Sequence, residues 1–489
     1  MDAALPPANQ ARESLRAKVR SAVIWRSGSQ ILSQLVQWAA TFLVIRILEP
    51  ADYGLYAMAG VVLAFLNLLN GYSLASGLIR QPTITRGEVR QLFGMLLLLN
   101  LGLGLVQFAA APLVAGYYRQ PEVTAILRVQ CLLYLATPFI ALPYALLARE
   151  MEFASQARIN IVAAIASAAA ALGGAVAGLG VWTLVWAPIV LFGVRAIGMT
   201  WAAGSLVWPS FAFRGAGQLA RYGGLMAAGQ FFWFAQSQAD VLIAGRWFDA
   251  HAVGLYTTAL FLTQIFQNKV VPPLNEVAFS AYARLQAEPG AVGRAFVASA
   301  GAIMAAALPL YLGAAVTAEP LVLLALGGHW AGAIPVVQLL ACAMPFMTLY
   351  VLMPPATDAI GQPGIGVRAS MIGAVVLPAA YLVGVQWGLT GLAAAWLAAY
   401  PLMLAVLAAR ALPAIGASPL ALARAVLPPL QAALAMAAIV LLADRLLPLG
   451  GPLPRLAVLV TIGGAVYAGW MLIFSRPTVR ALIDLVRRR

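Results

Sequence analysis

The sequence predicts an all-α polytopic membrane protein with about 14 transmembrane helices, organised as two six-helix lobes followed by a C-terminal pair. Three observations carry that expectation. Apolar residues make up 63% of the 489 positions and charged residues only 9%, against roughly 45–50% and 25% in soluble proteins, so too few charges exist to cover a water-facing surface. Apolar runs long enough to cross a bilayer, about 20 residues each, recur along the whole chain. A segment of the first interhelical loop also returns at a constant offset of 200 residues. The same composition excludes a disordered chain and a collagen-like repeat. The two cysteines, Cys131 and Cys342, lie inside apolar runs, where cysteine is a small buried hydrophobe.

In chain order, residues 1–21 form a basic segment whose stretch Glu13-Ser-Leu-Arg-Ala-Lys-Val-Arg20 spaces apolar positions among cations, a pattern expected along the cytoplasmic interface. The first apolar run starts near Ser21 without a small-residue cleavage pattern, so it reads as a span and not as a signal peptide. Spans are expected near 22–45, 54–78, 92–115, 125–147, 158–178 and 181–203, the last two separated by a turn at Gly178-Leu179-Gly180. After a linker at 204–221 they resume near 222–245, 253–275, 295–317, 332–356, 367–386 and 389–410. A pair near 424–446 and 455–475 follows, within residues 411–475, and a basic tail at 476–489 ends in Arg487-Arg488-Arg489. The loops are short, leaving no room for an extramembrane domain. Prolines inside the runs, Pro112, Pro138, Pro143, Pro188, Pro309, Pro345, Pro378 and Pro401, free backbone carbonyls that only a neighbouring helix or a cavity satisfies in lipid.

An even number of spans places both termini on one side. Of the 30 Lys and Arg, 21 fall on that side, five on the other (Arg46, Arg119, Arg246, Arg445, Arg455) and four within spans (Arg26, Arg128, Arg195, Lys269). Basic loops stay cytoplasmic, so both termini are expected in the cytoplasm. The net charge of +14 therefore serves orientation. The cations are scattered singly or in pairs, and no nucleic-acid partner is expected.

The repeat aligns Arg46-Ile-Leu-Glu-Pro-Ala-Asp-Tyr-Gly-Leu-Tyr56 with Arg246-Trp-Phe-Asp-Ala-His-Ala-Val-Gly-Leu-Tyr256, and Gln30 with Gln230. Six crossings separate the copies, so the halves point the same way, as in transporters built of parallel repeats with a substrate path between them.

Ionisable groups inside spans cost about 2.5–3.5 kcal/mol each at a helix centre and face a cavity or a partner. In the first span Arg26, Gln30, Ser33, Gln34, Gln37 and Thr41 fall on one helical arc of roughly 100°. A continuous polar stripe of this kind lines a cavity; its bland counterpart is interhelical hydrogen bonding, which needs only one or two such groups. Arg195 and Lys269 lie at a similar inner depth in spans 6 and 8. If the three cations converge they form a vestibule for an anionic headgroup, whereas Arg26 and Lys269, close to span ends, also have the option of snorkelling to lipid headgroups. Asp240 is the one acid within a span. It is a candidate either for coupling to a proton or cation or for a structural pairing with an arginine such as Arg46.

Soluble catalytic chemistry finds no support. His251 and His329 are the two histidines and lie far apart, and there is no HExxH, P-loop or Cys/His cluster at metal spacing. No cofactor and no metal are expected.

The motif Arg46-x-Leu48-x-Pro50-x-Asp52-Tyr53-Gly54 and its later counterpart Asp240-Val-Leu-Ile-Ala-Gly245-Arg246 with Gly254-Leu-Tyr256 resemble those of Wzx-like polysaccharide transporters, the lipid-linked oligosaccharide flippases of the MOP exporter superfamily. Arg149-Glu-Met-Glu-Phe153 followed by Gly180-Val-Trp-Thr-Leu-Val185 is similar to the exopolysaccharide branch of that family. The resemblance implies a V-shaped pair of six-helix bundles in the bacterial inner membrane, moving an undecaprenyl-pyrophosphate-linked oligosaccharide outward by alternating access for exopolysaccharide, O-antigen or capsule synthesis. It implies that Arg26, Arg195 and Lys269 hold the pyrophosphate and that Gln30, Gln34 and Gln37 bond sugar hydroxyls. Other polysaccharide-assembly proteins are the implied partners. The rivals are a drug or organic-cation antiporter on the same fold, a membrane polysaccharide polymerase, and a non-transporting scaffold. A cation carrier wants acids in its cavity, and a polymerase generally needs a large outer loop that this chain lacks.

Overall fold

A computed structural model describes residues 8–71, 84–212, 217–447 and 450–474, with the side chains at 8–24, 26–27 and 217–230 outside the description. The chain divides into two compact units, Met1–Phe231 and Phe232–Arg489, and the division falls within a helix.

Unit 1 contains α1 (Ala8–Ile47), α2 (Pro50–Asn67), α3 (Arg86–Tyr118), α4 (Glu122–Gln130), α5 (Leu132–Ala136), α6 (Pro138–Arg149), α7 (Phe153–Val176), α8 (Val181–Ala202) and the first part of α9 (Gly217–Trp247). Between Ala8 and Ser27 there is neither proline nor glycine, so the basic segment runs unbroken into the first apolar run as one 40-residue helix. The turn at 178–180 forms where it is expected, with Gly178 at φ 73° and Gly180 at φ 54°. Helix α7 carries a run of small residues, Ala163 and Ala164 being fully buried, which lets it lie close along α1 and α8. Ser167 Oγ donates to the carbonyl of Ala187 at 2.8 Å and pins α7 to α8. On the other side of the unit Leu92, Leu96 and Leu142 form an apolar core. Tyr134 OH donates to Gln107 Oε1 (2.9 Å) and Gln107 Nε2 to the Leu127 carbonyl (2.7 Å), a closed polar bridge between α3 and the α4–α5 pair.

Unit 2 continues through α10 (Ala250–Thr263), α11 (Ile265–Lys269), α12 (Val271–Leu285), α13 (Ala291–Val316), α14 (Ala318–Ala325), α15 (Ile334–Leu352), α16 (Pro354–Ala359), α17 (Gly364–Gly384), α18 (Gly388–Ala414), α19 (Pro419–Leu446) and α20 (Pro452–Phe474). The run expected at 253–275 is not one helix: it breaks after Thr263 and again after Lys269, where Pro272 and Pro273 open α12.

Ten stretches of the described residues are long and apolar enough to cross a membrane. One of them, Gly364–Ala414, has 51 residues and as a straight helix would measure about 77 Å, far beyond a hydrocarbon core of about 30 Å. It is two helices, α17 and α18, joined by a 3-10 turn at Val385–Trp387 with Gly388 at φ 76°. They pack back on each other where Gly384 and Gly391 meet backbone to backbone. The expected run at 54–78 falls partly outside the described residues, and that at 222–245 lies within α9 with its side chains up to 230 outside the description. Large apolar side chains such as Leu113, Val176 and Trp201 stay exposed at 77–87%, as lipid-facing surfaces require. The protein is an all-α polytopic membrane protein.

The offset-200 repeat is a repeat of structure. Arg46 and Arg246 each occupy the last turn of a helix, α1 and α9, where a cation is favoured by the helix dipole. The amide of Leu48 donates to the carbonyl of Val44, and that of Phe248 to Ala244. Glu49 and Asp249 then stand at the N-caps of α2 and α10; the carboxylate of Asp249 accepts from the amide of Ala252 at 2.8 Å. The recurring charges are thus explained by ending one helix and starting the next.

Candidate functional site

Helices α1, α6, α7 and α8 of unit 1 line a half-open pocket of about 260 Å³. From α1 it takes Ser29, Gln30, Ser33, Gln34 and Gln37. The spacing of three and four residues puts all five on one face, so the stripe read from the sequence becomes one wall. Arg195 enters from α8. It lies seven residues before the helix end at Ala202, or about 10 Å along the axis, and its side chain turns into the pocket. The opposite wall comes from α7, with Phe153, Gln156, Ala157 and Asn160, and from Tyr144 of α6. Gln156 is buried and its Nε2 donates to the Tyr144 carbonyl at 3.1 Å, which locks the end of α6 against α7 and fixes that wall.

The chemistry of the lining is narrow. Among the described residues, five amide side chains, two serines, a tyrosine and one guanidinium line the space, and no Asp or Glu does. Amides and hydroxyls both donate and accept hydrogen bonds, whereas the guanidinium only donates. Ser33 Oγ is buried and has no hydrogen-bond partner among the described residues. Among the described residues, the one formal charge in the lining is positive, and the rest of the polar lining both donates and accepts.

Of the residues singled out in the sequence, Gln30, Gln34, Gln37 and Arg195 share this pocket. Arg26 lies on α1 with its side chain outside the description. Lys269 ends α11 in unit 2, is exposed, and is not among the pocket's lining residues. Arg46 is exposed at the end of α1.

Asp240 is 1% exposed in unit 2. Its Oδ2 accepts from Tyr256 OH at 2.8 Å and its Oδ1 from the Val241 amide at 2.8 Å. Tyr256 in turn accepts from Trp396 Nε1 at 2.8 Å, and Trp396 stacks on Tyr400 with ring centroids 4.9 Å apart. Hydroxyl and amide donors hold this carboxylate, tying α9 to α10 and, through Tyr256, to α18.

Sequence reasoning missed Tyr144, Phe153, Gln156 and Asn160. Positions 153, 156, 157 and 160 repeat at helical spacing on one face, and two amides four residues apart in an apolar run were the available signal. Phe153 and Gln156 precede the span expected at 158–178 and Asn160 falls in its first turn, whereas the helix already begins at Phe153.

The chain is 26% identical over 376 residues to the succinoglycan biosynthesis transport protein ExoT of Rhizobium meliloti, covering 76% of each chain. It is 22% identical to the lipopolysaccharide biosynthesis protein WzxC of Escherichia coli, covering 67% of each. Its fold matches a solved structure of the lipid II flippase MurJ in an inward closed conformation, with a TM-score of 0.76 at 11% identity over 93% of this chain and 100% of that one. An inward-facing multidrug resistance MATE transporter of the MOP superfamily follows at a TM-score of 0.57 and 14% identity, over 80% and 98%. Residues 43–335 match the profile of the family described as Polysaccharide biosynthesis protein. That match spans more than half of the chain, which belongs to the polysaccharide biosynthesis protein family.

Proposed function

We propose that this protein moves a lipid-linked oligosaccharide, with undecaprenyl pyrophosphate as the carrier, from the cytoplasmic to the outer leaflet of a bacterial inner membrane. The observation that carries the reading is the unit-1 pocket: a cation and five amides held within apolar helices, with no acid among the lining residues. A polar, anionic headgroup gains from such a lining what it loses by leaving water, while its hydrocarbon tail has no reason to leave the lipid. The transport role named for ExoT and the lipid II flippase role named for MurJ point the same way.

In this reading the chain crosses the membrane 14 times, as two six-helix lobes and a terminal pair, with both termini cytoplasmic. Substrate is passed by alternating access. Arg195 contacts phosphate, the α1 glutamines contact sugar hydroxyls, and Arg26 and Lys269 are further phosphate contacts to be tested by substitution. Asp240 serves structure, because hydroxyl and amide donors already satisfy it. Other polysaccharide-assembly proteins are the partners on either side of the transport step.

The decisive measurement reconstitutes the full chain in proteoliposomes loaded with undecaprenyl-pyrophosphate-linked oligosaccharide and follows its arrival in the opposite leaflet. The wild type is expected to accelerate exchange. Arg195→Ala is expected to slow it at least tenfold, and Arg195→Lys to fall between, because a lysine keeps the charge but loses the bidentate geometry. No acceleration by the wild type refutes the reading, and preferential transport of organic cations replaces it with the antiporter.

A further inference from the structure

We propose that a groove between α6 and α8 holds a resident acidic phospholipid, its acyl chain against Phe139, Ile197, Trp201 and Leu206 and its phosphate on Arg90. The site lies outside the polar pocket and does not depend on what is transported.

Helix geometry separates the two places. Arg195 and Ile197 are two residues apart on α8, about 200° around its axis. Arg195 lines the polar pocket, so Ile197 and, one turn on, Trp201 stand on the other side of the helix. There, with Phe139 of α6 and Leu206 beyond the end of α8, they line an open groove that no charged residue among those described enters. Thr200 also lines it, but its hydroxyl is spent on the Phe139 carbonyl at 3.0 Å. A groove turned away from the transport pocket suits a lipid that stays, not one that is passed across.

Exposure fixes the depth. Trp201 is 87% exposed and Trp208, in the segment that follows α8, 82%. Leu206 between them and Phe211 just beyond are exposed as well. An apolar patch so continuous belongs against a partner or lipid, and tryptophans collect at the depth of the headgroups. The groove therefore opens where acyl chain meets headgroup, in the leaflet that is cytoplasmic in the proposed topology.

Charge completes the site. Phe93 of α3 packs edge-on against Phe139 with ring centroids 5.4 Å apart. Arg90 precedes Phe93 by three residues, about 4.5 Å of rise toward the end of α3, so a cation stands at the rim of an apolar groove. Arg90 Nε donates to the Trp208 carbonyl at 3.0 Å, which holds the guanidinium beside the exposed tryptophan and leaves its two Nη groups without a hydrogen bond among the described residues. Arg86, four residues earlier on the same face, is exposed too. Glu88, the acid between them, is occupied by Thr85, whose amide and hydroxyl donate to it at 2.8 and 2.9 Å. Among the described residues neither arginine has an ion-pair partner. A phosphate pairs with guanidinium N–H groups. A zwitterionic lipid brings its own ammonium to that phosphate, whereas an acidic one leaves the charge to the protein, which selects the acidic headgroup.

The test places the purified full-length protein in phosphatidylcholine nanodiscs doped with a photoreactive acyl-chain analogue of either phosphatidylglycerol or phosphatidylcholine, and maps the labelled peptides by mass spectrometry. The phosphatidylglycerol analogue is expected to label residues 196–208 at least fivefold more than the phosphatidylcholine analogue, roughly the worth of one cation near a lipid surface. Around Val375 of α17, also exposed, the two are expected to label alike. Arg90→Gln is expected to bring the two analogues level at 196–208. Arg86→Gln, which leaves the Trp208 bond in place, is expected to lower phosphatidylglycerol labelling about twofold. Equal labelling of 196–208 in the wild type, or the same preference around Val375, overturns the proposal in favour of ordinary surrounding lipid. Displacement of the analogue by undecaprenyl phosphate at lower concentration than by unlabelled phosphatidylglycerol also overturns it and gives the groove to the carrier. These outcomes are read on the wild type, so none depends on a variant folding. A preference found in a protein that translocates no lipid-linked oligosaccharide leaves this site standing while the transport reading falls.

Discussion

At the scale of single residues, two positions show how strictly local chemistry is set. Gly180 has φ 54° and ψ −133° at the start of α8, a conformation that side chains disfavour. A Cβ there would also stand 3.0 Å from Asp52 Oδ1, whereas one on Gly178 at φ 73° would meet no atom within 4 Å. Gly178→Ala is therefore expected to cost about 1–2 kcal/mol from backbone strain alone, and Gly180→Ala distinctly more, as read by thermal unfolding midpoints in detergent. Equal shifts would mean that the Asp52 contact carries no weight. In unit 2, Tyr256 is both donor to Asp240 and acceptor from Trp396. Tyr256→Phe removes both bonds and leaves a buried carboxylate oxygen and an indole N–H unmatched, an expected loss of about 2–4 kcal/mol. A variant as stable as the wild type would show that water replaces the hydroxyl.

Between elements, close backbone approach replaces the hydrophobic driving force that lipid removes. The segment after α8 is the clearest case. Residues 205–212 run over the first turns of α3: the Ser210 amide donates to the Arg90 carbonyl at 2.9 Å, Arg90 Nε to the Trp208 carbonyl at 3.0 Å, and Gln91 Nε2 to the Ala212 carbonyl at 2.8 Å. Gly94 permits this, because a Cβ there would collide with the carbonyl of Ser210. Gly94→Val is expected to lift the segment off α3 and raise the rate of limited proteolysis within 205–212 severalfold, with helix content by circular dichroism unchanged. An unaltered cleavage rate would show that the strap is not held at Gly94. Where α19 ends and α20 begins a different device serves. Arg455 bridges Asp444 (2.7 and 2.8 Å) and Glu319 (2.9 Å), joining those helices to α14.

At the scale of the whole molecule, the distribution of basic residues predicts the topology. If 14 crossings hold, the turn at Val385–Trp387 between α17 and α18 faces outward, and the turn at Gly416 between α18 and α19 faces the cytoplasm. A reporter active only in the cytoplasm, such as a fluorescent protein, is expected to be bright when fused after residue 416 or at the C-terminus and dark when fused after residue 387. A periplasm-active phosphatase should give the opposite pattern. Matching signals at 387 and 416 would remove one crossing and reverse the inner and outer assignments on one side of it.

The sequence by itself determined the solvent and the element type. With 9% charge over 489 residues, only helices that satisfy their own backbone can be immersed in lipid, and both follow from local composition. It also revealed the repeat, because Arg46 and Glu49 and their copies perform local work at helix ends, and capping is legible from neighbours in the chain. The α1 stripe was legible for the same reason, since one helix face is fixed by spacing alone. Tertiary structure decided which distant polar groups meet. Gln156, Asn160 and Tyr144 gain meaning only once α7 lies against α1, and Asp240 finds its donor 16 residues away and, beyond that, an indole from α18. Periodicity tells which side of a helix is polar; it carries no information about the helix packed opposite, and a pocket is defined by both.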